Sequence, residues 1–340
     1  MSKDHENIDL NGSAPVTNSN GSTEATNPDD TSSINNIDVS YSDITDILSP
    51  SITNEELVSR VLELSEDKLI PWEECHLPSK GIYYGWPDGI VMVRAMSQVA
   101  EKILATQRLA QSGQSIDYLF RECCKFPSGF DAADLLLGDR VFLLYYLRGI
   151  THGHNYEFAV TCPHCNAVST HAYNLNELSR TIKWAKSELG HEPFTIRLPY
   201  LSRITNRNFT VGVRFLRSFD ANDILSKRKA RKKMFAKPGS IKNGRQNSVN
   251  IRDQQSQMQE LDDSISDNMS KIIVNVMGVT DVFVIRQFVE KMHAQDTSAI
   301  REWLKDNTPG IDNTITVQCP ECSNEFTMEL PITESFFRPS

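Results

Sequence analysis

No run of about 18 apolar residues occurs anywhere in the chain, so no membrane-spanning helix is expected. The first residues show no charged segment followed by an apolar one, so no secretory signal is expected either. Positive charge is in deficit: 35 Lys and Arg against 44 Asp and Glu give a formal net charge of −9, with a pI near 5.4. Nucleic-acid binders normally carry a basic balance, so this composition argues against nucleic acid as a partner of the whole chain. Catalytic signatures are missing too. There is no Gly-X-Ser-X-Gly, no phosphate-binding glycine loop and no His-Glu-X-X-His. Glu73, Glu74, Cys75 and His76 cluster, but on a segment that reads as an irregular polar turn they make no dyad. The chain does not read as an enzyme.

Cysteine is also scarce, with seven in 340 residues, and its placement is informative. Four of the seven form two copies of Cys-Pro-X-Cys: Cys162-Pro163-His164-Cys165 and Cys319-Pro320-Glu321-Cys322. Strand-like sequence flanks each copy, Tyr156–Val160 and Ser169–Tyr173 around the first, Thr314–Val317 and Glu325–Leu330 around the second. This is one hairpin written twice, with a thiolate pair at each tip. A two-residue spacer lets both sulfurs face one ion, and a structural zinc takes four ligands in a tetrahedron. Usual ribbons close over about 15–20 residues, whereas 153 residues separate Cys165 from Cys319. The expectation is a split zinc ribbon, one structural Zn2+ per chain on Cys162, Cys165, Cys319 and Cys322, with a region inserted between its halves. A redox pair of thioredoxin type needs a βαβ setting that neither copy has. Two separate disulfides are the other alternative, and nothing suggests an exported protein. His152 and His154, just upstream, could ligate a metal or orient a ligand, but four thiolates already fill a tetrahedron, so they read as polar loop residues. His164 is expected to point outward. A closed four-thiolate site has no open position for a substrate, so the metal serves architecture.

Residues 1–50 are rich in Asn, Ser, Thr, Asp and Gly and read as a disordered tail, because they cannot bury enough surface to offset the entropy of ordering. Residues 51–76 read as a helix and linker, with Thr53-Asn54-Glu55-Glu56 as a capping box and Leu57, Val61 and Leu64 on one face. Residues 77–160 read as a helical region opened by a hairpin. Gly85–Gly89 serves as its loop and Ile90–Val93 as a strand. Ser97 is placed to cap the first helix, Ile116–Cys124 is the second, and the third, from Asp139, is apolar nearly all round and therefore central. Arg140 and Arg148 bracket that helix as a salt bridge or cap. The ribbon takes 161–175 and 311–335. Between its halves, 176–310 reads as a helix over Asn176–Leu189 ending at Gly190, a strand pair (Phe194–Pro199 and Phe209–Phe215), a basic helix from Asp220, a mobile basic loop over 227–260, and three further helices. The first of those three is expected from Leu261 through Val276, with Ile265, Met269, Ile272 and Ile273 inward. The basic run Lys227–Lys233 lacks interleaved aromatics, so it reads as a solvated helix and linker. Phe336-Phe337 is expected to dock, into its own domain or a partner. The fold class is α+β, mainly helical, with short β-hairpins.

Taken in order, Leu77-Pro78-Ser79-Lys80-Gly81, Gly138-Asp139-Arg140, Leu147-Arg148, the first Cys-Pro-X-Cys, Asp296-Thr297-Ser298-Ala299-Ile300-Arg301, Pro309-Gly310, the second Cys-Pro-X-Cys and Phe336-Phe337-Arg338-Pro339 form a pattern. It resembles the T-even-type tailed-phage family of baseplate hub subunit and assembly proteins, over roughly residues 75–340. The resemblance implies a structural component or assembly factor of the baseplate hub. Its partners would be other phage baseplate and hub proteins, with a homo-oligomer also allowed. It would reside in the virion tail baseplate after assembly in the host cytoplasm. The alternative is a zinc-ribbon nucleic-acid-binding protein of viral transcription or replication, supported by the ribbon and the basic run. A metal-dependent hydrolase using His152 and His154 is a third reading and needs a second metal.

Overall fold

The computed structural model describes residues 53–106, 115–235, 268–332 and 334–337. The expected tail over 1–50, most of the expected mobile loop and Ile265 lie outside these residues. The first element, α1 (Asn54–Glu63), begins with the capping box in full: the Thr53 side chain accepts from the Glu56 N–H, and the Glu56 carboxylate accepts from the Thr53 N–H. None of its residues is buried.

The compact part opens with β1 (Glu73–His76), antiparallel to β2 (Ile90–Val93) in the register Cys75 opposite Val91. This corrects the polar-turn reading of 73–76. Cys75 points inward while Glu74 and His76 face out, an alternation hidden by the outward charges. The hairpin is as expected, but its loop is 77–89, longer than Gly85–Gly89. α2 (Gln98–Ala105) follows Ser97, which sits at the N-cap position without a capping bond, its buried hydroxyl finding no partner. α3 (Ser115–Cys123) buries Leu119, Phe120 and Cys123, and Cys124 has left the helix to start β3 (Cys124–Lys125) beside β2.

The 16-residue α4 (Leu137–His152) is the central helix, with Phe142, Leu143, Leu144, Tyr145 and Leu147 buried. Its arginines work as expected. Arg140 pairs with the buried Asp117 at 3.1 Å, and Arg148 donates to the carbonyls of Gly153 (2.7 Å) and Asn155 (3.3 Å), closing the helix end. β4 (Asn155–Thr161) and β5 (Val168–Asn174) make the first cysteine hairpin.

The helix expected over Asn176–Leu189 does not form. Leu175–Thr181 is 3-10, so Leu175 and Leu178, three apart, share its buried face. Then β6 (Ile182–Lys183) pairs away from the local chain, and the Ala185 N–H donates to the Pro78 carbonyl. Gly190 does end the segment, at φ +72°. β7 (Phe194–Arg197), α5 (Pro199–Thr205) and β8 (Thr210–Val213) follow, the two strands antiparallel as expected. α6 (Ser218–Phe235) carries the basic run on helical backbone through residue 235, as the basic-helix reading expected, so 227–235 is not part of the loop expected over 227–260. The helix expected to run through Val276 stops after residue 272, giving way to β9 (Ile273–Val276) on the far side of β8. α7 (Val282–Glu290) and α8 (Ala294–Asn307) match expectation. β10 (Gly310–Ile311) pairs with β6, β11 (Thr314–Gln318) and β12 (Glu325–Glu329) make the second cysteine hairpin, and α9 (Glu334–Phe337) closes the described chain.

Helices and small antiparallel sheets thus form an α+β fold with two hydrophobic cores. The first joins the β1–β2–β3 sheet, α2–α4, both cysteine hairpins and Phe336-Phe337. The second lies under the β7–β8–β9 sheet and takes Ile285 of α7 and Ile300 of α8. Leu135 belongs to the first and its neighbour Leu136 to the second, so the start of α4 is the seam.

Candidate metal centre

Each cysteine hairpin alternates along its first strand. Tyr156 and Phe158 of β4, and Ile315 and Val317 of β11, point into the first core. Cys162 and Cys319 come immediately after these strands, and both are buried. The two tips then turn identically. The Asn166 N–H donates to the Cys162 carbonyl (3.0 Å) and the Cys162 N–H to the Ala167 carbonyl (2.9 Å). In the second tip Ser323 bonds to Cys319 (2.8 Å) and Cys319 to Asn324 (3.0 Å). The residue after the second cysteine is left-handed in both, Asn166 at φ +59° and Ser323 at φ +58°. These two positions were missed in the sequence. Asn is a usual left-handed residue, but Ser gives no such signal.

The four sulfurs come together across 153 residues of intervening chain. All ligand atoms of Cys162, Cys165, Cys319 and Cys322 lie within 4.8 Å of one another. Two pairs run between the hairpins, Cys162 to Cys322 at 3.7 Å and Cys165 to Cys319 at 3.6 Å. A tetrahedron with metal–sulfur bonds of about 2.3 Å has edges of about 3.8 Å. A disulfide needs sulfurs about 2.05 Å apart. The cluster therefore has the size of a four-thiolate site, and it could hold a metal ion.

Its electrostatics act in opposite directions on the two cysteines of the first tip. The backbone N–H of Cys165 first, and that of His164 next (3.4 Å from the sulfur), bring the Cys162 thiol down to about 6. The Cys165 thiol goes up to about 12, the bond from the Ala167 backbone being outweighed by desolvation and the three neighbouring sulfurs. Metal ligation by cysteine takes the thiolate form, so binding here is coupled to proton release.

What aligns the two hairpins is a set of contacts from the central helix and the chain end. The Tyr145 hydroxyl of α4 donates to the Leu330 carbonyl (2.9 Å) and accepts from Asn313 (3.2 Å). Tyr156 of β4 donates to the Pro331 carbonyl (2.9 Å). The Phe336 ring stands edge-on to both tyrosines, 5.3 Å from Tyr145 and 4.9 Å from Tyr156. Phe336 and Phe337 dock into their own domain, both buried. Upstream, Gly138 of α4 touches the Pro309-Gly310 backbone so closely that a Cβ there would overlap the Pro309 carbonyl oxygen.

No histidine ring joins the sulfur cluster among the described residues. His152 bonds to the Phe337 carbonyl at 2.9 Å, His154 packs over Gly149, and His164 is exposed between its two cysteines. Of the sequence motifs, Asp139 proves structural: wholly buried, it accepts from the Ser79 N–H (3.0 Å) and the Tyr84 hydroxyl (2.6 Å). Tyr84 in turn accepts from the Leu136 N–H (2.6 Å), so Leu77–Gly81 and Gly138-Asp139 meet at the seam. Asp296 does the same for the second core, its carboxylate accepting from the Tyr200 and Leu201 N–H groups at the start of α5.

The family model described as T4 bacteriophage base plate protein matches residues 73–338. No curated protein and no solved structure matches the chain.

Proposed function

The chain belongs to the T4 bacteriophage base plate protein family, and from that premise we propose that it is a structural component, or an assembly factor, of the baseplate hub. It works through surfaces presented to other baseplate proteins, without turnover. One Zn2+ per chain sits on Cys162, Cys165, Cys319 and Cys322. The four thiols supply a soft, tetrahedral donor set of the kind structural zinc takes. Bound there, the ion contributes folding free energy directly and ties the C-terminal hairpin to the middle of the chain. The family match carries this reading, and the sulfur cluster supports its zinc part. Assembly takes place in the host cytoplasm, and the finished location is the virion tail.

Quantitative mass spectrometry of purified particles and isolated baseplates tests the reading. Enrichment in baseplates at a fixed low copy number is expected of a hub subunit. Abundance in infected-cell lysate with absence from particles marks an assembly factor. Salt-dependent DNA binding by a chain absent from baseplates would overturn both in favour of the nucleic-acid reading.

A further inference from the structure

One end of the second core is capped by apolar side chains that nothing among the described residues covers. Between β9 and the first turn of α7, Met277, Val279, Val282, Phe283 and Val284 are 46–77% exposed, Phe283 the most. All five lie within eight consecutive residues, and exposed apolar side chains gathered in this way mark interaction sites. Asp281, also exposed, sits among them as the N-cap of α7.

The opposite end of the same sheet is concave. A cleft of about 610 Å³ lies between the two cores, with walls that include Leu137, Val141, Leu216, Met269, Leu304 and Ile311. Lys183, Arg301 and Lys305 line it as well, and Glu329 is its one acidic lining residue among the described residues. Strands β8 and β9 run antiparallel from the knob to the cleft. Met277 bonds to Thr210 at one end, while Leu216 and Ile272 line the cleft at the other. At about 3.3 Å per residue the four-residue β9 separates the two by about 13 Å.

We infer that the knob of one copy of this chain docks in the cleft of the next, giving a head-to-tail assembly. Both halves fit. A cleft of this volume is in the range that encloses a ligand of several side chains' size, enough for Phe283 and Val282. The exposed Asp281 carboxylate meets a basic rim, and Arg286, one turn along α7, has Glu329 as its counterpart. Because knob and cleft lie at opposite ends of one sheet, the contact is heterologous and propagates as a ring or an open chain. This deepens the structural-component reading by naming one partner of the chain, and it rests on that reading.

Light scattering and sedimentation of the metal-loaded full chain, from about 1 to 100 μM, provide the test. Wild type is expected to grow in mass with concentration. Phe283→Asp and the rim double variant Arg301→Glu/Lys305→Glu change only exposed residues, and each is expected to be monomeric with unchanged circular dichroism and metal content. Mixed, they form a 1:1 dimer and no larger species, since one retains the cleft and the other the knob. A wild-type chain that stays monomeric at 100 μM overturns the inference, and points Phe283 to a different protein. Failure of the mixture to dimerise overturns the head-to-tail geometry in favour of a two-fold contact. Either result leaves baseplate residence, read by mass spectrometry, untouched.

Discussion

The two cores are assembled from opposite kinds of chain. The second takes nearly all its buried residues from one continuous stretch, Phe194 to Ile300, with Leu136 added. The first is discontinuous, its buried residues running from Cys75 to Leu178 and again from Ile315 to Phe337. Closing a loop of about 150 residues costs on the order of 4 kcal/mol in chain entropy. The second core reduces that cost once folded, because its chain leaves and returns at one place: β6 pairs with β10, and Thr181 bonds to the Asp312 carbonyl at 2.8 Å. What remains is to fix the returning hairpin on the first, and there the molecule concentrates its long-range polar contacts and its four thiols. The continuous core has one such buried pin, Asp296, whereas the returning hairpin of the discontinuous one is held by Tyr145, Tyr156 and the four thiols together.

The sharpest way to break this comparison is to remove a ligand. Cys319→Ser is expected to abolish metal retention and to cost several kcal/mol, given that structural zinc supplies roughly 10–16 kcal/mol in isolated fingers. Hydrogen exchange would show β11, β12 and the Phe336 region losing protection, while β7 and β8 keep theirs. Equal loss in both cores would show that they fold as one unit. Unchanged metal content would remove the shared site.

A smaller effect is expected at the seam. Gly138→Ala places a methyl against the fixed Pro309 backbone, and overpacking of this kind costs about 1–3 kcal/mol. Urea unfolding should show a lowered midpoint with metal still bound. A neutral outcome would mean that α4 and the returning chain separate freely.

The smallest effect is one of pH. Burial pushes the Asp139 carboxyl up to about 6 from its ordinary 3.8, against the bonds from Ser79 and Tyr84. The folded state therefore holds a proton that the unfolded chain releases. The contribution is full below about pH 4, shrinks as pH rises towards 6 and is gone above it. Between pH 5 and 7 wild type should lose on the order of 1 kcal/mol that Asp139→Asn does not. Parallel stability curves for the two proteins over that range would show that Asp139 does not titrate there.

Elements with a strong local signature were legible. The Thr53–Glu56 capping box, the all-round apolar α4 with its bracketing arginines and the alternating β7–β8 pair appear as read. Three segments were not. β1 hid behind outward Glu74 and His76. β9 hid because Ile272, Ile273 and Val276 fit helical spacing as well as a β-branched strand, and the free edge of β8 decided between them. Residues 176–189 carry helical spacing, but Lys183 pairs with Gly310 and Ala185 with Pro78, two distant partners that local periodicity cannot announce.

The sequence alone determined which atoms could bind a metal, because ligand type and a two-residue spacer are complete within four residues. It also determined where most helices start and the alternation of strands such as β7 and β8, since capping and alternation act over one or two turns. Only the tertiary structure decided that the two knuckles face each other, that Phe336 wedges between Tyr145 and Tyr156, and that Leu135 and Leu136 enter different cores. Each of those outcomes depends on groups brought together from far along the chain. Their energies exist only once the intervening residues have folded, so no local spacing encodes them.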